Sequence, residues 1–342
     1  MPVSKTEAPA AKQIEVPARS SLALLTYVLK SMRPRQWSKN LFVFLPLAFT
    51  IGQYWHPFGP TMWPFLFITS GTFVVFCLLS GFVYIINDLV DLEKDRAHPR
   101  KRLRPIASGR LPRPAALAAS GILLVVALAA SVLLDLFAGT LPYPSGAPVF
   151  PVRFPLTLIG VSYLVLQIAY SFYLKHIVII DVFSIAAGFM LRTVAGAVVI
   201  QVPISPWLYV MALLLSLFLG FGKRRNELTL LEGAATNHRT ILKEYSLELL
   251  DEMMSVTTAS TVIAYSLYTF SAENLPKNHA MMLTIPLVLY CIFRYLYLIH
   301  VRNEGGSPEE ILLRDRPFLA AFIAWGVMVV AILYLFGRPP GS

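Results

Sequence analysis

Nine apolar runs, separated by charged or Pro-rich stretches, constrain this chain more than any motif does. They fall at about 40–52, 63–86, 114–135, 154–174, 177–200, 206–222, 254–272, 280–300 and 318–337. Most approach the roughly 20 residues that a helix needs to cross about 30 Å of hydrocarbon. Inside lipid, backbone N–H and C=O groups find partners only in helices or closed barrels, and apolar runs without alternation select the helix. The expected class is an all-α, polytopic membrane protein. The first run is short and interrupted by Pro46, which makes eight spans the competing count. Only 14% of the residues are charged, against about a quarter in soluble domains, so a soluble enzyme is excluded.

Residues 1–20 are rich in Ala, Pro, Lys and Ser without helical periodicity and are expected to form a disordered, basic leader. The stretch Ser21 to Met32 is a short amphipathic segment rather than the apolar core of a signal peptide. Residues 21–338 are expected to form one transmembrane domain with two large loops, at about 87–113 and 222–253. Of the 29 Lys and Arg, 25 fall on one side, the exceptions being Arg153, Lys277 and Arg338 opposite and Arg192 inside the fifth run. The crowded side is cytosolic by the positive-inside rule, so the N-terminus and the chemistry are expected there, in a cytoplasmic membrane. Cys77 and Cys291 both lie in apolar runs, which excludes a disulfide framework or a thiolate-held metal.

The end of the second run reads Tyr84-Ile85-Ile86-Asn87-Asp88-Leu89-Val90-Asp91-Leu92-Glu93-Lys94-Asp95. Helical spacing places Asp88, Asp91 and Asp95 in one narrow sector, with Tyr84 a turn earlier, and turns Glu93 away. Three carboxylates so placed repel unless a cation neutralises them, and an all-oxygen set with room for water and phosphate suits Mg²⁺. Carboxylates beside membrane spans are rare and functional, which weighs against a merely solvated helix end. The sign then inverts through Arg96, His98, Arg100, Lys101, Arg102 and Arg104. Such a run attracts anionic lipid. Next to an acidic triad it also supplies the Arg and Lys forks that a metal-bound diphosphate requires.

The pattern Asn87-Asp88-x-x-Asp91-x-x-x-Asp95, followed by Lys101-Arg102-x-Arg104-Pro105-Ile106-x-Ser108-Gly109, resembles the first signature of the UbiA-type prenyltransferase superfamily. Arg33-Pro34-Arg35-Gln36-Trp37-Ser38-Lys39-Asn40 is similar to the segment opening its first span. The resemblance covers nearly the whole chain. It implies a nine-helix bundle around a central cavity open sideways to lipid, with Mg²⁺-diphosphate at the cytosolic end. Where the superfamily carries a second Asp-rich motif, after the sixth span, this chain has Gly222-Lys223-Arg224-Arg225-Asn226-Glu227. Lys223 and Glu227 keep the i, i+4 spacing, but a cation replaces the first carboxylate. Together with Tyr170-Ser171-Phe172-Tyr173-Leu174-Lys175-His176 and Leu312-Leu313-Arg314-Asp315-Arg316, this resembles the branch that transfers phosphoribose to decaprenyl phosphate.

That branch implies transfer of 5-phosphoribose from phosphoribosyl pyrophosphate to a polyprenyl (decaprenyl) phosphate, a step towards a lipid-linked arabinose donor for cell-wall polysaccharide. Charge supports it, because a site with two acidic motifs repels the second anionic substrate, whereas one acidic motif with surplus Lys and Arg holds both. Asp88, Asp91 and Asp95 are the expected metal ligands and catalytic residues. Lys39, Asn87, Arg102, Tyr170, Lys175, Arg192, Lys223, Arg224 and Glu227 are the expected substrate-binding residues. Arg192 reads as a cavity-lining cation or as half of a structural ion pair, with Asp181 too far along the helix to be an obvious partner. Asp181 itself reads as a carboxylate favoured by its helix N-terminus. His98, His176 and His238 have no metal-ligand spacing. Gly188, Gly196, Ala186 and Ala187 allow close helix approach, either within the bundle or between copies of a homo-oligomer. No nucleic-acid partner is expected. Two other functions stay open: prenyl transfer from a diphosphate to an aromatic acceptor, and lipid transport without chemistry, which the lack of clear inverted repeats disfavours.

Overall fold

The structure is a computed structural model describing residues 21–99, 101–141, 143, 152–203, 205–232, 240–272, 275–302, 311 and 314–336. The expected leader, part of the second loop and Leu312-Leu313 lie outside the described residues. Eleven α-helices carry most of the rest: α1 (Ser21–Ser31), α2 (Leu45–Phe49), α3 (Met62–Val90), α4 (Leu92–Ala97), α5 (Arg113–Ala138), α6 (Pro155–Phe172), α7 (Ile180–Val199), α8 (Pro206–Glu232), α9 (Leu247–Ser271), α10 (Ile285–His300) and α11 (Arg316–Phe336). Among the described residues the one β feature is an isolated bridge between Ile51 and Trp55. Neighbouring helices pack in sequence order as α5 on α3, α6 on α7, α7 on α8, α8 on α9 and α10 on α11.

Among the described residues, seven helices are long and apolar enough to cross a membrane, against nine expected runs. The run at 254–272 lies in α9, whose first turns carry Glu248, Asp251 and Glu252 and which is not among the seven. The run at 40–52 is not a regular α-helical span. It is a 3-10 helix, Pro34–Phe44, leading into α2. Pro46 lacks the N–H that an α-helix would aim at the Phe42 carbonyl, so that carbonyl takes the Leu45 N–H one residue earlier. This irregular segment is buried against α7 at Gly196, where an added Cβ would stand on the Val43 carbonyl oxygen. Gly196 of α7 therefore serves packing inside the bundle.

Side chains fix several helix starts. Asp135, near the end of α5, accepts the Leu156 and Thr157 N–H groups at 2.9 Å each and the Thr157 hydroxyl at 2.8 Å, satisfying the open first turn of α6. Ser246 caps α9 through the Leu249 N–H at 3.1 Å. Asp315 accepts the Phe318 N–H at 2.8 Å at the start of α11 and pairs with Arg294 of α10. Amphipathic α1 packs Leu24, Tyr27 and Val28 against a cluster with Ile85, Leu111 and Ala116, leaving Leu22, Leu25 and Leu29 exposed. The alternation of helices brings the ends of α3, α6 and α8 and the start of α7 to one end of the bundle. This is the end that carries the basic loops.

Candidate active site

Two charge clusters occupy the basic end. In the first, α3 stops at Val90, and Asp91 forms a one-residue break (φ −87°, ψ 12°) before α4. The Asp95 N–H still bonds the Asp91 carbonyl at 2.8 Å, so Asp95 returns to the side of Asp88. Arg104 Nη1 donates to Asp88 Oδ1 at 3.0 Å and to Asp95 Oδ2 at 2.6 Å, and Lys101 Nζ stands 3.8 Å from Asp95 Oδ1. Arg33 Nη2 donates to Asp88 Oδ1 at 2.5 Å, and its guanidinium lies 4.7 Å from the Tyr84 ring centroid. Arg33 takes this position with φ 55°, in the left-handed region, a conformation costing about 1–3 kcal/mol that its surroundings must hold in place.

Of the three carboxylates expected to converge, the structure brings two together. Asp88 and Asp95 are buried and share Arg104, whereas Asp91, at the break, makes no side-chain hydrogen bond or ion pair among the described residues. No group of three His, Cys, Asp or Glu side chains able to hold one metal occurs among the described residues. The physical reason is charge: Arg33 and Arg104 close over the two buried carboxylates, and among the described residues no cation pairs with Asp91. The pair nevertheless fits a hard divalent ion in kind. Two carboxylate oxygens already converge on one cationic nitrogen, and water and phosphate oxygens complete such a shell.

The second cluster centres on Arg224 of α8, which is 1% exposed. Its Nε donates to Asp181 Oδ2 at 2.6 Å, Nη1 to Glu227 Oε2 at 2.6 Å and Nη2 to the Tyr170 hydroxyl at 3.3 Å. Asp181, fully buried at the start of α7, also accepts the Tyr245 hydroxyl at 2.8 Å, and that oxygen accepts the Ile179 N–H at 2.6 Å. Burial pushes the Tyr245 phenol well above its ordinary range, so it stays a donor to Asp181 near neutral pH. Arg224 was expected on a phosphate. It is instead turned inward and engaged by two carboxylates, which ties Tyr170 and Glu227 to the same structural knot. Arg225 points to the other side of α8 and pairs with Asp251, which also meets His300 Nε2 at 3.2 Å.

The remaining expected residues range from buried to exposed. Lys39 is half-buried beside buried Asn40, Lys175 is half-buried on the 3-10 turn Leu174–His176, and Lys223 and Asn87 are half-buried. Arg102 is exposed on the turn Lys101–Leu103, and its side chain has no partner among the described residues. Arg192 is buried in mid-helix, where Nε donates to Asn40 Oδ1 at 2.7 Å, Nη1 to the Gly188 carbonyl at 2.7 Å and Nη2 to the Tyr163 hydroxyl at 2.9 Å. It is not half of an ion pair among the described residues. The expected site residues omit Arg33, Asn40 and Arg104, which stood in quoted segments, Asp181, which was read as a helix-end carboxylate, and Tyr163 and Tyr245. Arg104 stood in the basic run already singled out, but no local spacing distinguishes it from Arg102. For Asp181 and Tyr245 no local signal exists, since their partners are distant in the chain.

The model of the UbiA prenyltransferase family matches residues 41–311. The chain is 32% identical over 319 residues to the decaprenyl-phosphate phosphoribosyltransferase of Mycolicibacterium smegmatis, covering 91% of this chain and 93% of that one. It is 32% identical over 315 residues to the protein of the same name from Mycobacterium tuberculosis, covering 92% and 96%. Its fold is similar to that of a UbiA homologue from Archaeoglobus fulgidus bound to GPP and Mg²⁺, with a TM-score of 0.62, 19% identity, and coverage of 90% of this chain and 100% of that one. Helical architecture, apolar spans and sequence agree, and this multi-pass membrane chain belongs to the UbiA prenyltransferase family.

Proposed function

We propose that this protein transfers 5-phosphoribose from phosphoribosyl pyrophosphate to a polyprenyl phosphate of the decaprenyl kind, releasing pyrophosphate, at the cytosolic face of the cytoplasmic membrane. The names of the relatives support this reading. The observation that carries it is the Arg224 knot: near the end of α8, where a second metal would need free carboxylates, Glu227 and Asp181 of α7 are both engaged by one guanidinium. The site thus offers one acidic centre and many cations, which suits a diphosphate donor meeting a second phosphate.

Asp88 and Asp95, with Asp91 beside them, would hold Mg²⁺, which when bound supplies charge neutralisation for the departing pyrophosphate. Arg33 and Arg104 bring N–H forks to the same place, suited to bidentate contact with diphosphate oxygens. Lys39, Lys175 and Lys223, half-buried cations, are the candidates for the donor's 5-phosphate. The acceptor's phosphate is already an oxyanion near neutral pH. One of its oxygens bonds to C1 of the ribose as the bond from C1 to the pyrophosphate oxygen breaks, and no proton needs to move. Catalysis then rests on alignment and charge stabilisation.

The test is to incubate the purified protein with labelled phosphoribosyl pyrophosphate, polyprenyl phosphate and Mg²⁺, and in parallel with prenyl diphosphate and an aromatic acid. Organic-extractable label and free pyrophosphate are expected from the first mixture and nothing from the second. The opposite pattern would replace this reading with prenyl transfer.

A further inference from the structure

We propose that Arg192 is the counter-charge for the phosphate of the lipid acceptor, held inside the bundle on the membrane side of the acidic centre. This deepens the phosphoribosyl-transfer reading and rests on it. Arg192 is 6% exposed, and among the described residues its hydrogen-bond and ring partners are neutral: the Asn40 amide, the Gly188 carbonyl, the Tyr163 hydroxyl, and the rings of Tyr163, Phe189 and Phe76 at 4.8, 5.4 and 6.0 Å. A guanidinium has five N–H groups, and those bonds engage one on each nitrogen, leaving further donors on Nη1 and Nη2. An unneutralised charge at membrane depth is costly and marks function rather than packing. The contrast with Arg224 is internal to this chain. Where a buried arginine is structural here, two carboxylates meet it.

Its depth says which anion it serves. Asn40, which accepts from Arg192, donates to Cys77 Sγ at 3.2 Å and to Ser80 Oγ at 3.5 Å, fixing the guanidinium at the Cys77–Ser80 level of α3. Ser80 lies about 12 Å along α3 from Asp88, and Arg192 about 16 Å along α7 from Asp181, at ~1.5 Å per residue. The leaving diphosphate belongs at the mouth, with Asp88, Asp95, Arg33 and Arg104. Displacement at C1 from the opposite face puts the nucleophile deeper in the bundle. The nucleophile is a phosphomonoester on a lipid, whose chain lies in the membrane. Of the two buried arginines among the described residues, Arg192 is the one without a carboxylate partner.

The test uses the full chain in nanodiscs of neutral lipid. Affinity for polyprenyl phosphate, inorganic phosphate and ribose 5-phosphate is measured by phosphorus NMR without donor or metal, and KM for both substrates is measured in turnover. Arg192→Gln is expected to weaken polyprenyl phosphate binding and raise its KM by about 10- to 100-fold, the loss of charge-assisted hydrogen bonds, with the donor KM unchanged. Arg192→Lys should recover part of it. Tyr163→Phe, which removes one oxygen, should give a smaller rise in the same KM and covers the case in which Arg192→Gln does not fold. Unchanged lipid phosphate affinity in the variants, a loss falling on the donor instead, or equal affinity for inorganic phosphate and the lipid would overturn the proposal. Absence of product from the wild type would sink the transfer reading, while the binding arm would still decide the role of Arg192.

Discussion

Replacing Arg224 by Met separates a substrate clamp from a structural knot. Arg224 and Asp181 have side chains 1% and 0% exposed and are joined at 2.6 Å. Removing the guanidinium leaves Asp181 buried with the Tyr245 hydroxyl as its remaining side-chain donor, and breaking a buried pair from one side costs about 3–5 kcal/mol. Glu227 is 29% exposed, so its lost partner adds less than about 1 kcal/mol. Asp181→Asn alone should also destabilise, because Arg224 loses its buried partner. The double variant removes both charges and should recover part of the loss, a coupling of about 1–3 kcal/mol. The assay is reversible denaturation in mixed micelles for the four proteins, with donor binding measured on each. A stable Arg224→Met that has lost donor affinity, with no coupling to Asp181, would refute the structural placement and return Arg224 to the substrate.

Asp88→Asn should lower turnover by orders of magnitude and weaken Mg²⁺ dependence, since it removes a buried carboxylate, whereas Glu93→Gln, 73% exposed and paired with Arg96 and Arg113, should be nearly silent in activity and stability. The Arg294 hydrogen bond holds Asp315 below the usual carboxylate range. Its stabilising effect is therefore present above the unfolded pKa of about 3.9 and is lost as pH falls below it, so an acid titration of thermal stability should show a shallower drop in Asp315→Asn than in the wild type. Gly196→Ala drives a methyl onto the Val43 carbonyl and should cost about 1–3 kcal/mol or more by denaturation, while Gly121→Ala, with open space around it, should be neutral or slightly stabilising.

The run lengths and the one-sided cations were enough to determine a polytopic helical bundle, because hydrocarbon thickness and backbone hydrogen bonding leave few alternatives. The spacing around Asp88 also located the acidic centre, since i, i+3 and i+7 neighbours are a property of the local helix. Tertiary structure decided the rest. Asp88 and Asp95 meet through Arg104, and Asp91 stays out, because among the described residues the long cations from other segments reach two carboxylates and not the third. Arg224 reads as one more member of a basic cluster until Asp181, 43 residues earlier, and Tyr245 are folded against it. Arg192 shows the same limit: its position in a span was legible, but its freedom from any carboxylate among the described residues depends on Asn40, 152 residues away, and on Tyr163. Local periodicity sets which face a residue takes. Which charge it meets there depends on helices brought together across the whole chain, and that pairing has no period to read.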